Sequence, residues 1–214
     1  MRVEKFEREL RTVVVGREDI LLWQVADLER HVDRAALLAG DDPPEPPYWA
    51  HVWSGAYVLA TAVPPRCGAV LELGCGLGLP GVTAARRGAD VTFVDRIPDA
   101  LAFVRASAAA NGAASVRLVA ADATRLPFAA RFDLVLAAEL LYDRDAFNPI
   151  ARTIASHLAP GGRALLTDAG RIDTRVFYDD ALPAAGLRWH ATAHTVREEG
   201  LPVSVALVEI RTAR

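Results

Sequence analysis

The sequence predicts an α/β chain: a doubly wound, seven-stranded sheet, mostly parallel, that closes in an antiparallel C-terminal hairpin and carries a small N-terminal extension. Three observations predict it. From Ala69 onward, apolar runs of strand length alternate with helical stretches, the pattern of a parallel sheet covered on both faces. The first run, Ala69 to Leu73, breaks into glycines at alternate positions, Gly74, Gly76 and Gly78, before Pro80 opens a helix. The chain then finishes in two strand-like runs, Arg188 to Val196 and Pro202 to Arg211, around the turn-forming Arg197-Glu-Glu-Gly200.

In order, Arg11 to Val25 reads as two short strands around a turn at Gly16 to Asp19. Asp27 to Ala39 has helical spacing, with Leu28, Val32, Ala35 and Ala36 on one side. Asp41-Asp-Pro-Pro-Glu-Pro-Pro47 admits neither helix nor central strand. It marks the boundary between an extension, 1–47, and a core, 48–214. Tyr48 to Gly55 leads into a helix that ends at Pro64-Pro65. The parallel strands are Ala69 to Leu73, Asp90 to Asp95, Val116 to Ala121, Asp133 to Ala138 and Arg163 to Thr167. Helices are expected at Pro80 to Arg87, Pro98 to Asn111, Asp145 to Leu158 and Thr174 to Ala185, and the connector Asp122 to Arg131 is short, with no full helix expected in it. This is a Rossmann-like layout.

Composition removes several function classes. The 214 residues are 52% hydrophobic and 24% charged with a formal charge of -3, an ordinary globular balance with no basic stripe for nucleic acid. Lys5 is the only lysine, so a P-loop, a Schiff-base lysine and the Tyr-x-x-x-Lys pair of short-chain dehydrogenases have no candidate in the core. Cys67 and Cys75 imply no disulfide framework, and the five histidines lack zinc-ligand spacing. No metal is expected. Met1 to Leu10 is charged and no run approaches membrane length, so a cytoplasmic location is expected.

The chemistry sits at the carboxyl ends of the strands. A strand, a glycine loop and a helix start let backbone approach a nucleotide-like ligand closely, since a Cβ would block it. Gly76-Leu-Gly-Leu-Pro-Gly81 satisfies the dinucleotide fingerprint, with Asp95 at the distance of a ribose acceptor. Glu72-x-Gly74-x-Gly76-x-Gly78 instead resembles the first motif of the class I, seven-β-strand methyltransferases. That resemblance covers about residues 66–211 and implies S-adenosylmethionine as cofactor. It places Glu72, Gly74, Cys75, Gly76 and Gly78 at the cofactor, with Cys75 as a small loop residue. Asp95 would accept both ribose hydroxyls, and its alternative is a helix cap before Pro98. Asp122 would accept from the adenine amino group, with capping as the competitor. Ala138 ends the fourth strand beside the cofactor.

A narrower resemblance follows. Ala138-Glu139-Leu-Leu-Tyr142 is similar to the Asp-x-x-Tyr motif of methyltransferase family 16, largely protein-lysine methyltransferases. Pro47-Tyr48-Trp49 and Trp53-Ser54-Gly55 resemble the branch that methylates the electron-transfer flavoprotein β subunit. The resemblance implies Glu139 and Tyr142 as catalytic residues acting on an amine, with a protein substrate. Glu139 lengthens the usual aspartate by one methylene, and Leu126-Pro127-Phe128 stands where a tryptophan is often found. Leu140 and Leu141 replace the prolines of enzymes acting on adenine or glutamine, which argues against a nucleic-acid partner. Trp53 walls the methionine end, packs on the adenine, or fills the core at a helix start. A small-molecule methyltransferase and an inactive cofactor-binding module remain alternatives.

Overall fold

A computed structural model describes residues 6–32, 46–113, 115–198 and 200–213. Strands β1 (Arg8–Val15) and β2 (Glu18–Val25) form an antiparallel hairpin, paired from Arg8 with Val25 to Val15 with Glu18. Alternation buries Val13, Val15, Ile20 and Leu22 on one face. That face lies on the core and is fastened by polar bonds: Trp23 N–H donates to Ser107 Oγ at 3.0 Å and Leu21 N–H to Asn111 Oδ1 at 3.0 Å. Arg87 pairs with Glu18 at 2.8 Å. Of the helix expected at Asp27 to Ala39, the described part is a 3₁₀ turn, Leu28–His31, followed by extended Val32. Residues 33–39, and 41–45 of the proline segment, lie outside the described residues.

The main sheet has seven strands: β3 (Ala69–Leu73), β4 (Asp90–Asp95), β5 (Arg117–Ala120), β6 (Phe132–Ala138), β7 (Leu158–Asp168), β8 (Leu187–Glu198) and β9 (Leu201–Thr212). Their order is β5-β4-β3-β6-β7-β9-β8. The first five run parallel, β9 is antiparallel to β7, and β8 is antiparallel to β9. Strand direction therefore reverses only where the sequence ends in a hairpin. β7 begins five residues earlier than expected: Phe132 pairs with Leu158, the register then shifts, and Leu134 pairs with Arg163. The intervening Ala159-Pro-Gly-Gly162 cannot hold a regular ladder, because Pro160 has no N–H and Gly161 sits at φ +78°.

Both faces are covered, so the central strands read as continuous apolar runs. Leu134 and Leu136 pack with helices Ser54–Ala62, Leu79–Arg86 and Pro98–Ala110, under the β1–β2 hairpin. Val135 and Ala137 face the other way, onto helix Phe147–His157 and Phe177, Ala181 and Leu182. The helix expected at Thr174 to Ala185 contains a π-helical turn, Phe177–Ala181, before Leu182–Ala184. Pro183 offers no N–H back to Asp179, and the hydrogen-bond ladder widens ahead of it. Among the described residues no helix is long and apolar enough to cross a membrane.

Candidate active site

A cleft of about 1120 Å³ opens at the carboxyl ends of β3 to β6. Its floor is the glycine loop. Gly74, Gly76 and Gly78 adopt φ of +58°, +50° and +72°, the left-handed region that glycine enters without a Cβ penalty. Gly76 is also confined sterically, since a Cβ there would stand 2.8 Å from the Trp49 carbonyl oxygen. Cys75 N–H bonds Val94 O at 3.0 Å and Gly78 N–H bonds Cys75 O at 2.7 Å. The loop is therefore wound tight before any ligand arrives.

Two carboxylates hold it. Asp95, at the end of β4, accepts from Gly76 N–H at 2.8 Å through Oδ2 and from Ile97 N–H at 2.9 Å through Oδ1. Burial raises its pKa, and these N–H bonds oppose the rise. Asp95 lines the cleft, but both oxygens already carry a backbone partner; it holds the turn before helix Pro98–Ala110 without capping it, since the N-cap position is Ile97. Glu72 departs from expectation: it does not line the cleft. It is buried beneath the loop, where Oε2 accepts from Gly81 N–H at 2.9 Å in the first turn of helix Leu79–Arg86. Burial pushes its pKa to about 8, with the Gly81 N–H working against the rise and Asp95 adding to it. A helix N-terminus favours a carboxylate there. Cys75 lines the floor, and burial drives its thiol well above the ordinary range, which suits a small loop residue rather than a nucleophile.

Asp122 lines the cleft after β5, and it also caps. Its Oδ1 accepts from Thr124 N–H at 2.7 Å and Thr124 Oγ1 at 2.6 Å, which holds its pKa down.

The end of β6 makes the opposite wall. Ala138 and Glu139 line the cleft, and Glu139 takes φ +51°, an unusual left-handed backbone for a non-glycine residue. Leu140 and Leu141, which follow it, are both buried. Glu139 Oε2 accepts from Ala169 N–H at 3.2 Å and lies 3.6 Å from Arg171 Nε. Oε1 is buried and has no hydrogen-bond partner among the described residues, as is true of Thr167 Oγ1. A Cβ on Gly55 would run into both groups. Burial raises the Glu139 pKa, and the Ala169 N–H and Arg171 pull it back. Tyr142 lines the cleft at its rim, 58% exposed.

Trp53 is not core filling. It precedes helix Ser54–Ala62, donates through Nε1 to Tyr48 O at 3.1 Å, and meets the His51 ring edge-on at 4.4 Å. The Arg171 guanidinium carbon lies 4.3 Å from its ring centroid. Sequence reasoning missed Arg171 and Thr167 as site residues. Thr167 is the penultimate residue of β7 and Arg171 follows its end, where the rule that strand ends carry chemistry pointed. Among the described residues no group of three or more His, Cys, Asp or Glu could hold a metal ion.

The residues present suit S-adenosylmethionine: a glycine loop on left-handed backbone that packs too tightly for any Cβ, a buried acid at the end of β4, and a buried carboxylate opposite with one oxygen unpartnered among the described residues. Comparisons with known proteins agree. The methyltransferase domain family matches residues 70–162. EEF1A lysine methyltransferase 3 of Mus musculus is 31% identical over 145 residues, which cover 63% of this chain and 62% of that one. Ubiquinone biosynthesis O-methyltransferase of Xanthomonas axonopodis pv. citri is 30% identical over 149 residues, with 67% and 62% covered. The chain thus spans 62% of the length of each of these relatives. The TehB-like SAM-dependent methyltransferase of Corynebacterium glutamicum superposes with a TM-score of 0.58 at 22% identity, covering 85% of this chain and 94% of that one. Residues 70–162 match the methyltransferase domain family, the fold built around them is shared with an S-adenosylmethionine-dependent methyltransferase structure, and the relatives include a protein-lysine methyltransferase and an O-methyltransferase.

Proposed function

We propose that this protein transfers a methyl group from S-adenosylmethionine to an amine, a lysine side chain of a protein partner in the cytoplasm. The observation that carries the reading is Glu139: a buried carboxylate with one oxygen unpartnered, on a left-handed backbone, across the cleft from the glycine loop. A cleft of about 1120 Å³ exceeds the roughly 300–1,000 Å³ of a site for one small ligand, which suits a cofactor together with an acceptor side chain.

The backbone of Gly74, Cys75, Gly76 and Gly78 would hold the cofactor's amino-acid end. Asp95 would take the ribose through its remaining lone pairs, Asp122 the adenine amino group through Oδ2, and Ala138 and Trp53 would wall the site. When bound, S-adenosylmethionine supplies a methyl already activated by its sulfonium. The chain's own work is alignment and proton handling. Alignment of two reactants is worth effective molarities of about 10⁵–10⁸ M. A lysine amine, with an ordinary pKa of roughly 10.4, must shed a proton before it has a lone pair. Glu139 orients the ammonium, and Tyr142, at the rim, accepts a hydrogen bond as the proton leaves to water.

A small-molecule acceptor is the second reading, favoured by the ubiquinone-pathway O-methyltransferase that matches 67% of this chain. One experiment separates the two. Lysate incubated with the enzyme and methyl-labelled cofactor should show label in a protein band that hydrolyses to methyl-lysine. Label found only in the small-molecule fraction would establish the metabolite reading.

A further inference from the structure

We propose that the slot between the face of Trp53 and the carboxylates of Glu139 and Glu198 binds the cationic end of the acceptor, and that Arg171 fills this slot as an internal stand-in. The proposal rests on the amine-acceptor reading and adds the slot, its placeholder and a way in. Arg171 stacks 4.3 Å above the Trp53 ring, with Nε 3.6 Å from Glu139 Oε2 and Nη2 3.5 Å from Glu198 Oε1. Both separations exceed the roughly 2.7–2.9 Å of a charge-assisted hydrogen bond. The guanidinium therefore balances two carboxylates without locking onto either. Its side chain is 42% exposed, while that of Glu139 is 6% exposed. The cationic head is thus open to solvent while the Glu139 carboxylate is not, so Glu139 must keep a cation beside it and Arg171 can leave only in exchange for another.

The walls of the slot are built, not incidental. Ser54 Oγ donates to Glu198 Oε2 at 2.7 Å and fixes that carboxylate beside Trp53. Asp168 fixes the Arg171 loop: Oδ1 accepts from Gly170 N–H at 2.8 Å, and Oδ2 from Thr174 Oγ1 at 2.7 Å and the Tyr178 hydroxyl at 3.2 Å. Backbone on both sides of Arg171 is pinned, which leaves its side chain as the moving part. Arg171 also leaves Glu139 Oε1 buried and unpartnered. An alkylammonium, with three donors on a compact head, can approach Glu139 Oε2 and Glu198 Oε1 more closely than the stacked guanidinium does.

A second depression of about 310 Å³, lined by Ala169, Arg171, Glu198, Leu201 and Val203, shares Arg171 with the main cleft. Arg171 belongs to both linings, so its displacement joins the depression to the main cleft. An acceptor chain would then enter from the tip of the β8–β9 hairpin, where Leu201 is 70% exposed and suits an aliphatic stem. The class of ligand follows: an unbranched alkyl chain ending in a cation. A neutral alcohol or phenol can donate one hydrogen bond there but lacks the charge that an aromatic face and two carboxylates attract.

The test is an NMR titration of the full chain with n-butylammonium, read at the Trp53 indole N–H, which is assigned with Trp53→Phe. n-Butanol is the neutral control. Removing the stand-in with Arg171→Ala, or with Arg171→Gln should the first variant fold poorly, is expected to tighten n-butylammonium binding about tenfold. Adding Glu198→Gln should abolish that gain, and n-butanol should be indifferent to all of these changes. Unchanged or weaker n-butylammonium binding in the Arg171 variant, or an equal gain for n-butanol, overturns the proposal. The readout needs no methyl transfer, so the slot can fail while the methyltransferase reading stands. An enzyme that gains affinity yet never methylates an amine would sink that reading alone.

Discussion

On the glycine-loop side of the cleft, both buried carboxylates are held by backbone: Asp95 by Gly76 and Ile97, Glu72 by Gly81. Across the cleft, Glu139 has one backbone partner, an arginine at ion-pair distance and an oxygen with none. The first side is finished before a ligand arrives, because its hydrogen bonds are local to the loop and the helix that follows it. The second side is incomplete, since a buried acceptor without a donor costs about 1–3 kcal/mol until something supplies one. A site that must hold one constant cofactor gains from the first arrangement. A site that must select and turn over an acceptor gains from the second.

The comparison breaks most visibly at Glu139. Glu139→Gln should lower the single-turnover rate about 10²-fold through a misplaced acceptor while leaving S-adenosylmethionine affinity unchanged, measured by rapid quench beside titration calorimetry. An unchanged rate would make Glu139 structural. Tyr142→Phe should cost less, because its hydroxyl stands at an exposed rim.

On the loop side the largest effect belongs to Gly76→Ala. Forcing alanine to φ +50° against the Trp49 carbonyl costs about 1–3 kcal/mol, which reads as roughly 10- to 100-fold in cofactor affinity if the loop distorts. Calorimetry checks it, and the acceptor slot should still bind n-butylammonium.

Glu72 sharpens the contrast through pH. Its folded pKa near 8 stands above the ordinary 4.5, so the native state keeps a proton that the unfolded chain releases between those values. Its contribution to stability is complete below pH 4.5 and is lost as pH rises through 8. Glu72→Gln retains an acceptor for Gly81 N–H and removes the titration. Its melting temperature should exceed the wild type above pH 8 and match it near pH 4.5, with each kcal/mol reading as about 2–4 °C. A lower melting temperature at high pH would mean that the ionised carboxylate is the stabilising form.

The smallest effect is expected for Asp122→Asn. The amide oxygen still caps Thr124, so stability should move by no more than about 0.5 kcal/mol. Cofactor affinity should fall less than with Gly76→Ala.

How legible each side was follows from the range of its interactions. The glycine loop could be read because its demands fall on consecutive residues: alternate glycines for left-handed backbone, Pro80 for the helix start, acids at the two strand ends. What misled was direction. Glu72 lies one residue inside the strand end, and the alternation of side chains turns it under the loop instead of into the cleft. Glu139 and Tyr142 were legible as a short motif, but the left-handed backbone and the orphan oxygen of Glu139 were not. The setting of its carboxylate depends on Gly55, Thr167 and Ala169, which reach it from other elements.

By itself the sequence determined the alternation of strands and helices, the reversal at the C-terminal hairpin, and the cradle at Gly74 to Gly78. Period and glycine chemistry act within a few residues, and a strand feeding a helix in a parallel sheet leaves few topologies to choose from. Only the tertiary structure decided that Trp53, Glu139, Arg171 and Glu198 meet. They come from a helix start, two strand-end loops and the far end of a hairpin, and no local pattern encodes a meeting of four segments spread over 146 positions. Strand order brings the ends of β6 and β7 side by side, and the antiparallel β8–β9 pair returns Glu198 to the same edge. Charge and aromatic character were in the sequence, but their juxtaposition is a property of the closed sheet.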